Sequence, residues 1–105
     1  MRCIEREEFL KFNDEGFRMD IISETDNAKI LNCNIRAGSE LPLHNHEIDG
    51  ELLIVVLEGE GEFLGAGGVT MPARPGDALT AEIREPHGLR AIKDLRAIIV
   101  ITPPI

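Results

Sequence analysis

The sequence predicts an all-β domain, either a sandwich or a barrel, and two observations support that prediction. Glycine and proline clusters divide the 105 residues into segments of strand length, many of them rich in Ile, Leu and Val. Only residues 6–12 have a helical spacing, with Phe9 and Phe12 three positions apart. Many short strands separated by such turn signals are typical of sandwiches and barrels.

The expected strands follow from these breaks in chain order. Residues 51–57 and 95–101 are almost wholly apolar, which indicates central strands covered on both faces. Lys93 and Asp94 fit a tight hairpin between two strands. The full set of expected strands is 17–23, 28–37, 51–58, 61–64, 68–71, 78–83, 87–92 and 95–102.

Length and charge limit the classes of function. A chain of 105 residues predicts one domain, residues 1–105, with a single core. The formal net charge of −8 argues against nucleic acid or an anionic membrane as partner, since both attract basic surfaces. No apolar run is long enough for a membrane span or a signal peptide, so a cytoplasmic protein is expected. Of the two cysteines, Cys33 is expected to be a small buried hydrophobe.

The three histidines all lie where a metal ion could use them. His44 and His46 form a His-x-His pair, and His87 follows Pro86 later in the chain. Alternate residues of a strand point to the same side, so a His-x-His pair on a strand offers two nitrogens to one ion. Imidazole is a common ligand for Zn, Mn, Fe, Ni and Cu.

Two glycine-anchored spacings surround these histidines. The first runs from Gly38 through His44 and His46 to Glu51 and Gly59, and the second, opened by Pro75, Gly76 and Asp77, runs to His87. Together they resemble the two motifs of the cupin family, usually written G-x5-H-x-H-x(3,4)-E-x6-G and G-x5-P-x-G-x2-H-x3-N. The motifs cover about 38–59 and 76–91, and the second departs from the pattern at Glu82, Arg84 and Ala91.

The resemblance implies a double-stranded β-helix, or jelly-roll barrel, of the RmlC-like cupin type. It also implies that His44, His46, Glu51 and His87 converge on a divalent transition metal, Mn, Fe, Ni or Zn. Dimers are frequent among cupins, and an exposed edge strand near 17–23 would favour a homodimer.

The position of Glu51 is open, because seven residues separate it from Gly59 where the family pattern has six. A one-residue slip turns every side chain of a strand to the opposite face. Either a β-bulge near Gly50 and Glu51 absorbs the extra residue, which is the favoured interpretation, or Glu51 points away and three imidazoles remain. Counting back from Gly59 places Leu52 at the carboxylate position, with Glu47 and Asp49 as other candidate carboxylates.

Two functions are compatible with these residues. One is a metal-dependent oxygenase or isomerase that acts on a small organic molecule, with the catalytic residues undetermined. The other is a domain that binds or senses a ligand without chemistry. The expected barrel lining, from 31–37, 53–57 and 78–83, is mostly aliphatic, which favours a small ligand of modest charge over sugar phosphates.

Overall fold

The computed structural model describes residues 1–105 and confirms the predicted all-β class. Its helical segments are two 3-10 turns, Arg6–Phe9 and Ala66–Gly68, so the helical spacing of 6–12 forms a single turn. Neither turn has the length or apolar character needed to cross a membrane. The strands are β1 (Phe17–Glu24), β2 (Lys29–Ile35), β3 (Glu40–His44), β4 (Glu51–Gly65), β5 (Thr70–Ala73), β6 (Ala78–Glu82) and β7 (His87–Thr102).

The two long strands, β4 and β7, build both layers of the barrel. The strand order is β1-β2-β7-β4-β5, with β3 paired to β7 and β6 paired to β4, and every pair is antiparallel. The second half of β7 lies between β2 and the first half of β4. The first half of β7 pairs with β3 and with the second half of β4. Because both long strands continue from one layer into the other, the sheet folds back over itself.

The predicted hairpin at Lys93 and Asp94 is wrong, and so is the separation of 51–58 from 61–64. Each region lies inside one long strand, at the point where that strand passes between layers. The pairing of β4 with β7 shifts register there, since Glu58 faces Arg96 while Glu60 faces Lys93. Extra residues on both strands form bulges that bend the pair. Turn-forming residues therefore mark a bend here and not a chain reversal.

Glycine is required where β4 and β7 cross between the layers. A Cβ on Gly59 would lie 2.1 Å from the carbonyl oxygen of Asp94, and the φ of Gly59 is +92°. A Cβ on Gly61 would lie 2.1 Å from the carbonyl oxygen of Arg90. These two glycines let the backbones approach closely enough to close the barrel.

One aliphatic core fills the space between the layers. Inward side chains come from β2, from both halves of β4 and from both halves of β7. Cys33 is completely buried among them, as predicted, and its burial raises the pKa of the thiol to about 12. The most deeply buried large side chains of the cluster include Ile35, Ile54, Val56, Leu89 and Leu95.

The outer face of β2 carries a polar network that the sequence did not reveal. Asn32 and Asn34 are buried, because the N-terminal segment crosses over them. The Asn34 amide donates to the carbonyl oxygens of Phe9 at 2.7 Å and Lys11 at 2.8 Å. The buried Arg96 donates to Oδ1 of Asn32 at 2.7 Å. Side-chain amides thus hold the first residues of the chain against the sheet.

Candidate metal centre

His44 and His87 are direct neighbours across two strands at one end of the barrel. His44 ends β3, His87 begins β7, and the two residues are register partners. Their ring centroids lie 4.5 Å apart in an edge-to-face arrangement. The strand pairing therefore brings together the two predicted ligands that are furthest apart in sequence.

Backbone carbonyls determine which nitrogen of each ring is available. Nδ1 of His44 lies 2.7 Å from the carbonyl oxygen of Pro42, and Nδ1 of His87 lies 2.6 Å from that of Glu85. A carbonyl oxygen only accepts hydrogen bonds, so each Nδ1 carries the proton. In the neutral rings the lone pair is then on Nε2. Metal-ligating histidines usually have this arrangement, in which the second nitrogen donates to a carbonyl or a carboxylate.

His46 lies outside β3, so the prediction that one strand carries both His44 and His46 is wrong. The strand ends at His44, and His46 is an exposed residue of the following loop. Its backbone N–H donates to the carbonyl oxygen of Ile83 at 3.2 Å, which ties the loop to the end of β6. Its ring centroid lies 5.7 Å from that of His44. The fold, and not strand alternation, places His46 beside the other two rings.

The structure does not bring Glu51 to the histidines, and the favoured bulge at Gly50 and Glu51 is wrong. From Glu51 to Val56 the pairing with β6 and β7 is regular, and the register first shifts after Val56. Leu52 therefore points inward, with 4% of its surface exposed, while Glu51 is exposed on the outer face. The extra residue is absorbed at the bend near Gly59, which leaves Leu52 at the carboxylate position.

The other candidate carboxylates of this region are bound to an arginine. Arg84 contacts Glu47 at 3.3 Å and Asp49 at 3.0 Å, and all three side chains are exposed. The ion pairs hold these carboxylates on the outer surface of the 46–50 loop. No carboxylate thus joins the three imidazoles.

Burial controls the charge of the innermost histidine. His87 is 6% exposed, and desolvation lowers its pKa below the ordinary value. The carbonyl of Glu85 opposes that effect by accepting a hydrogen bond, and a charge on His44 or His46 would add to it. His87 is therefore neutral near pH 7, the form in which Nε2 offers its lone pair.

The three imidazoles are suitable donors for a transition metal, but their side chains are not yet arranged around one point. Imidazoles that share one ion at about 2.0–2.1 Å have ring centres roughly 4.5–5.5 Å apart, close to the 4.5 Å between His44 and His87 and the 5.7 Å between His44 and His46. No group of three or more His, Cys, Asp or Glu side chains is nevertheless arranged to hold an ion. The exposed ring of His46 is the donor with room to turn, because His44 and His87 are fixed by their carbonyls.

Two cavities border the histidines. The interior cavity, of about 40 Å³, is lined by His44, His87 and aliphatic side chains that include Leu31, Leu52 and Ile54. The mouth cleft, of about 450 Å³, lies on the other side of His87 between β5 and β6. Of the aliphatic lining expected from the sequence, Leu31 and Ile54 border the interior cavity and Leu79 and Ala81 border the mouth cleft. The other inward residues of 31–37 and 53–57 fill the barrel.

This architecture is that of a small cupin domain. Two antiparallel layers enclose an aliphatic core, and histidines from β3, the next loop and β7 meet at one end. The chain belongs to the Cupin_2 family, the cupin domain, whose family model matches residues 32–102.

Solved structures support the same assignment. An RmlC-like cupin protein from Desulfovibrio desulfuricans is 47% identical, with a TM-score of 0.95, over 100% of this chain and 99% of that one. Ectoine synthase from P. lautus is 26% identical, with a TM-score of 0.78, over 100% of this chain and 80% of that one. KdgF from Halomonas sp. shares the fold. It is 23% identical, with a TM-score of 0.81, over 96% of this chain and 94% of that one. No curated protein matches the chain.

Proposed function

We propose that this cupin holds a divalent transition metal, Mn, Fe, Ni or Zn, through His44, His46 and His87, and binds a small organic molecule beside it. The observation that carries the proposal is the pair of Nδ1 to carbonyl hydrogen bonds, which orients His44 and His87 as ligands. Glu51 is left out of the ligand set because it lies on the outer face. The net charge of −8 supports a small-molecule partner over nucleic acid.

The proposed activity is that of an oxygenase or isomerase. A metal bound there would supply Lewis-acid polarisation of a substrate oxygen. The chain itself supplies two fixed imidazoles and an aliphatic surrounding that excludes water from one side. The name of one similar structure, ectoine synthase, shows that a related barrel serves an enzyme, which supports catalysis as the first candidate.

Ligand binding without chemistry is the second candidate, and the lack of a second acid or base on the interior side of the histidines favours it. Besides His44 and His87, that lining is hydrophobic and contains no carboxylate, hydroxyl or amide that could act as a second acid or base. Oxygen consumption and keto-enol exchange, measured with metal-loaded protein, separate the two candidates. Turnover that disappears in His87→Ala supports the enzyme, and uniform inactivity supports the binding protein.

Metal content tests the ligand set. Protein produced without a metal-affinity tag should contain close to one equivalent of metal, and His44→Ala, His46→Ala and His87→Ala should each lose most of it. Glu51→Gln is the matched control, since it changes a neighbouring residue that faces outward, and it should keep the wild-type content. Undiminished metal in the histidine variants would contradict the proposal, and loss in Glu51→Gln would return Glu51 to the ligand set.

We also propose that the protein forms a homodimer through β1. This strand pairs only with β2, so its other edge is free to extend the sheet. Size-exclusion chromatography at several concentrations tests the proposal. A proline at an outward-facing N–H of β1 should shift the profile to the monomer, and a wild-type profile that is monomeric throughout would refute it.

A further inference from the structure

The mouth cleft has the size of a ligand site, whereas the interior cavity does not. A cavity of about 40 Å³ has room for about one water molecule, while pockets for organic ligands have volumes of about 300–1,000 Å³. The mouth cleft, at about 450 Å³, falls within that range. Its walls include Val69, which is 54% exposed, and Met71, which is 44% exposed. These apolar side chains are available to a ligand without any movement of the core.

The walls of the mouth cleft are ordered by the fold. Met71 of β5 is the register partner of Phe63 of β4. Leu79 and Ala81 are inward residues of β6 that pack against the core. The 65–69 turn closes through a hydrogen bond of 2.8 Å from the N–H of Gly65 to the carbonyl oxygen of Val69. His87 is one of the residues that line the cleft, so a ligand there would lie beside a predicted metal ligand.

No lysine or arginine lines the mouth cleft, and the one histidine of its lining, His87, is neutral near pH 7. The arginines nearest in sequence to its lining are paired with carboxylates. Arg84 pairs with Glu47 and Asp49, Arg90 pairs with Glu62 at 3.5 Å, and Arg74 pairs with Asp77 at 3.1 Å. An anionic group in the cleft would therefore meet no lysine or arginine in the lining itself. Recognition of carboxylate or phosphate usually requires such a cation.

The one charged residue of the lining is Glu85. Oε1 of Glu85 accepts a hydrogen bond from the backbone N–H of Glu82 at 2.9 Å, and the N–H of Glu85 donates to the carbonyl oxygen of Glu82 at 3.0 Å. The turn thus holds the carboxylate at the edge of the cleft. A cation bound against the apolar walls would lie near this negative charge.

We propose that the mouth cleft is the ligand-binding site of this protein and that it selects uncharged and cationic aliphatic molecules over anionic ones. The role of the cleft next to the metal rests on the proposed function, because His87 is shared by both. The preference for charge depends on Glu85 and on the lack of a cation in the lining, and so it holds for the metal-free protein as well.

Three six-carbon probes test the selection: hexanol, hexylamine and hexanoate, each titrated into metal-free protein near pH 7. The chain has three methionines, of which Met71 lines the mouth cleft, Met19 lines the interior cavity and Met1 is exposed. Methyl-labelled methionine therefore reports the location of each probe by NMR. Hexanol and hexylamine should shift the Met71 methyl resonance in a saturable manner, leave Met19 unchanged, and bind more tightly than hexanoate.

Glu85→Gln is the matched variant for the charge preference, since glutamine keeps an oxygen that can accept from the N–H of Glu82. It should weaken the binding of hexylamine about two- to fivefold, which is the effect expected of one exposed carboxylate, and leave the affinity for hexanol unchanged. Equal or tighter binding of hexanoate would overturn the proposed selection. Saturable shifts at Met19 without Met71, or no saturable shift with any probe, would overturn the proposed site.

Metal measurements separate this proposal from the proposed function. Protein that binds metal through the histidines but leaves the Met71 resonance unmoved by the probes would overturn the cleft proposal alone. Protein that binds the probes at Met71 but no metal would overturn the metal proposal alone, and the selection for charge would stand.

Discussion

Leu52→Glu should create a fourth metal ligand where the sequence pattern of the family has one. Leu52 lines the interior cavity together with His44 and His87, so a carboxylate at this position faces the imidazoles. Leu53→Glu is the matched control, because Leu53 is one residue further along β4 and points to the outer face. The two variants add the same charge to the same strand on opposite sides.

The size of the effect follows from the burial of Leu52. The side chain is 4% exposed, so its removal costs about 2 kcal/mol of hydrophobic burial, and a carboxyl group without partners adds about 2 kcal/mol more. In the metal-free state we therefore expect a loss of about 4 kcal/mol for Leu52→Glu. Leu53 is half-buried, so Leu53→Glu should cost about 1 kcal/mol. A domain of this size loses about 4–8 °C in Tm for each kcal/mol.

Thermal unfolding with and without metal measures the coupling. Metal at about one hundred times its Kd stabilises the folded protein by about 2.7 kcal/mol, and a tighter site gains more at the same concentration. The increase in Tm on adding Mn, Fe, Ni or Zn should be larger for Leu52→Glu than for the wild type, and wild-type in size for Leu53→Glu. If Leu52→Glu is unfolded without metal, circular dichroism should show that metal restores its structure.

Two results would refute this reasoning. Metal that stabilises Leu52→Glu no more than the wild type would mean that position 52 does not face a metal site. An equal gain in Leu53→Glu would mean that the added charge acts without specific coordination.

The remaining predictions concern stability. Cys33→Ala should remove a loss of folding stability at alkaline pH, because the pKa of the buried thiol is raised to about 12, while the thiol of the unfolded chain ionises from about pH 9. By about pH 11 the free energy of unfolding of the wild type, measured in urea, should fall by about 2–3 kcal/mol from this cause. The same dependence of stability on pH in the variant would contradict this. Gly59→Ala should cost at least about 2 kcal/mol in urea unfolding, whereas Gly67→Ala, with open space around it, should cost about 1 kcal/mol; equal losses would contradict the close approach at Gly59. Asn34→Ala should accelerate tryptic cleavage after Lys11, because the carbonyl of Lys11 loses its side-chain donor and that of Phe9 keeps only the one from Asn32 at 3.2 Å; unchanged cleavage would show that other contacts suffice.

Much of the fold could be predicted from local patterns, and the errors arose where a local signal has two structural meanings. Lys93 and Asp94 look like a hairpin, yet they mark a bend inside β7, since the partner strand that requires the bend is distant in sequence. The set of expected strands omits β3 because Pro42 interrupts it, although the His-x-His pair points to a strand there and an edge position tolerates proline. The burial of Asn32 and Asn34 depends on the segment from Phe9 to Lys11, at least 23 positions away in sequence, which no local pattern reports.

The same reasoning explains why His46 is placed differently from His44 and His87. His44 and His87 follow from glycine-anchored spacings, and their pairing needs only that β3 and β7 be neighbours. Alternation along a strand would fix the side of His46, but His46 lies in the loop, and its position depends on the hydrogen bond from its backbone N–H to Ile83. The structure thus gives the site two fixed imidazoles and one adjustable imidazole.

The extra residue before Gly59 shows what spacing alone can decide. The number of residues between Glu51 and Gly59 is one more than in the family pattern, but a β-bulge at either end of this segment would account for it equally well. The bend between layers already needs irregular pairing near Gly59, so an extra residue there disturbs no further ladder bonds. At Gly50 it would break regular pairing with both β6 and β7 and turn Leu52 out of the core. Hydrophobic burial therefore decides the register, and it places the aliphatic side chain, not the carboxylate, toward His44 and His87.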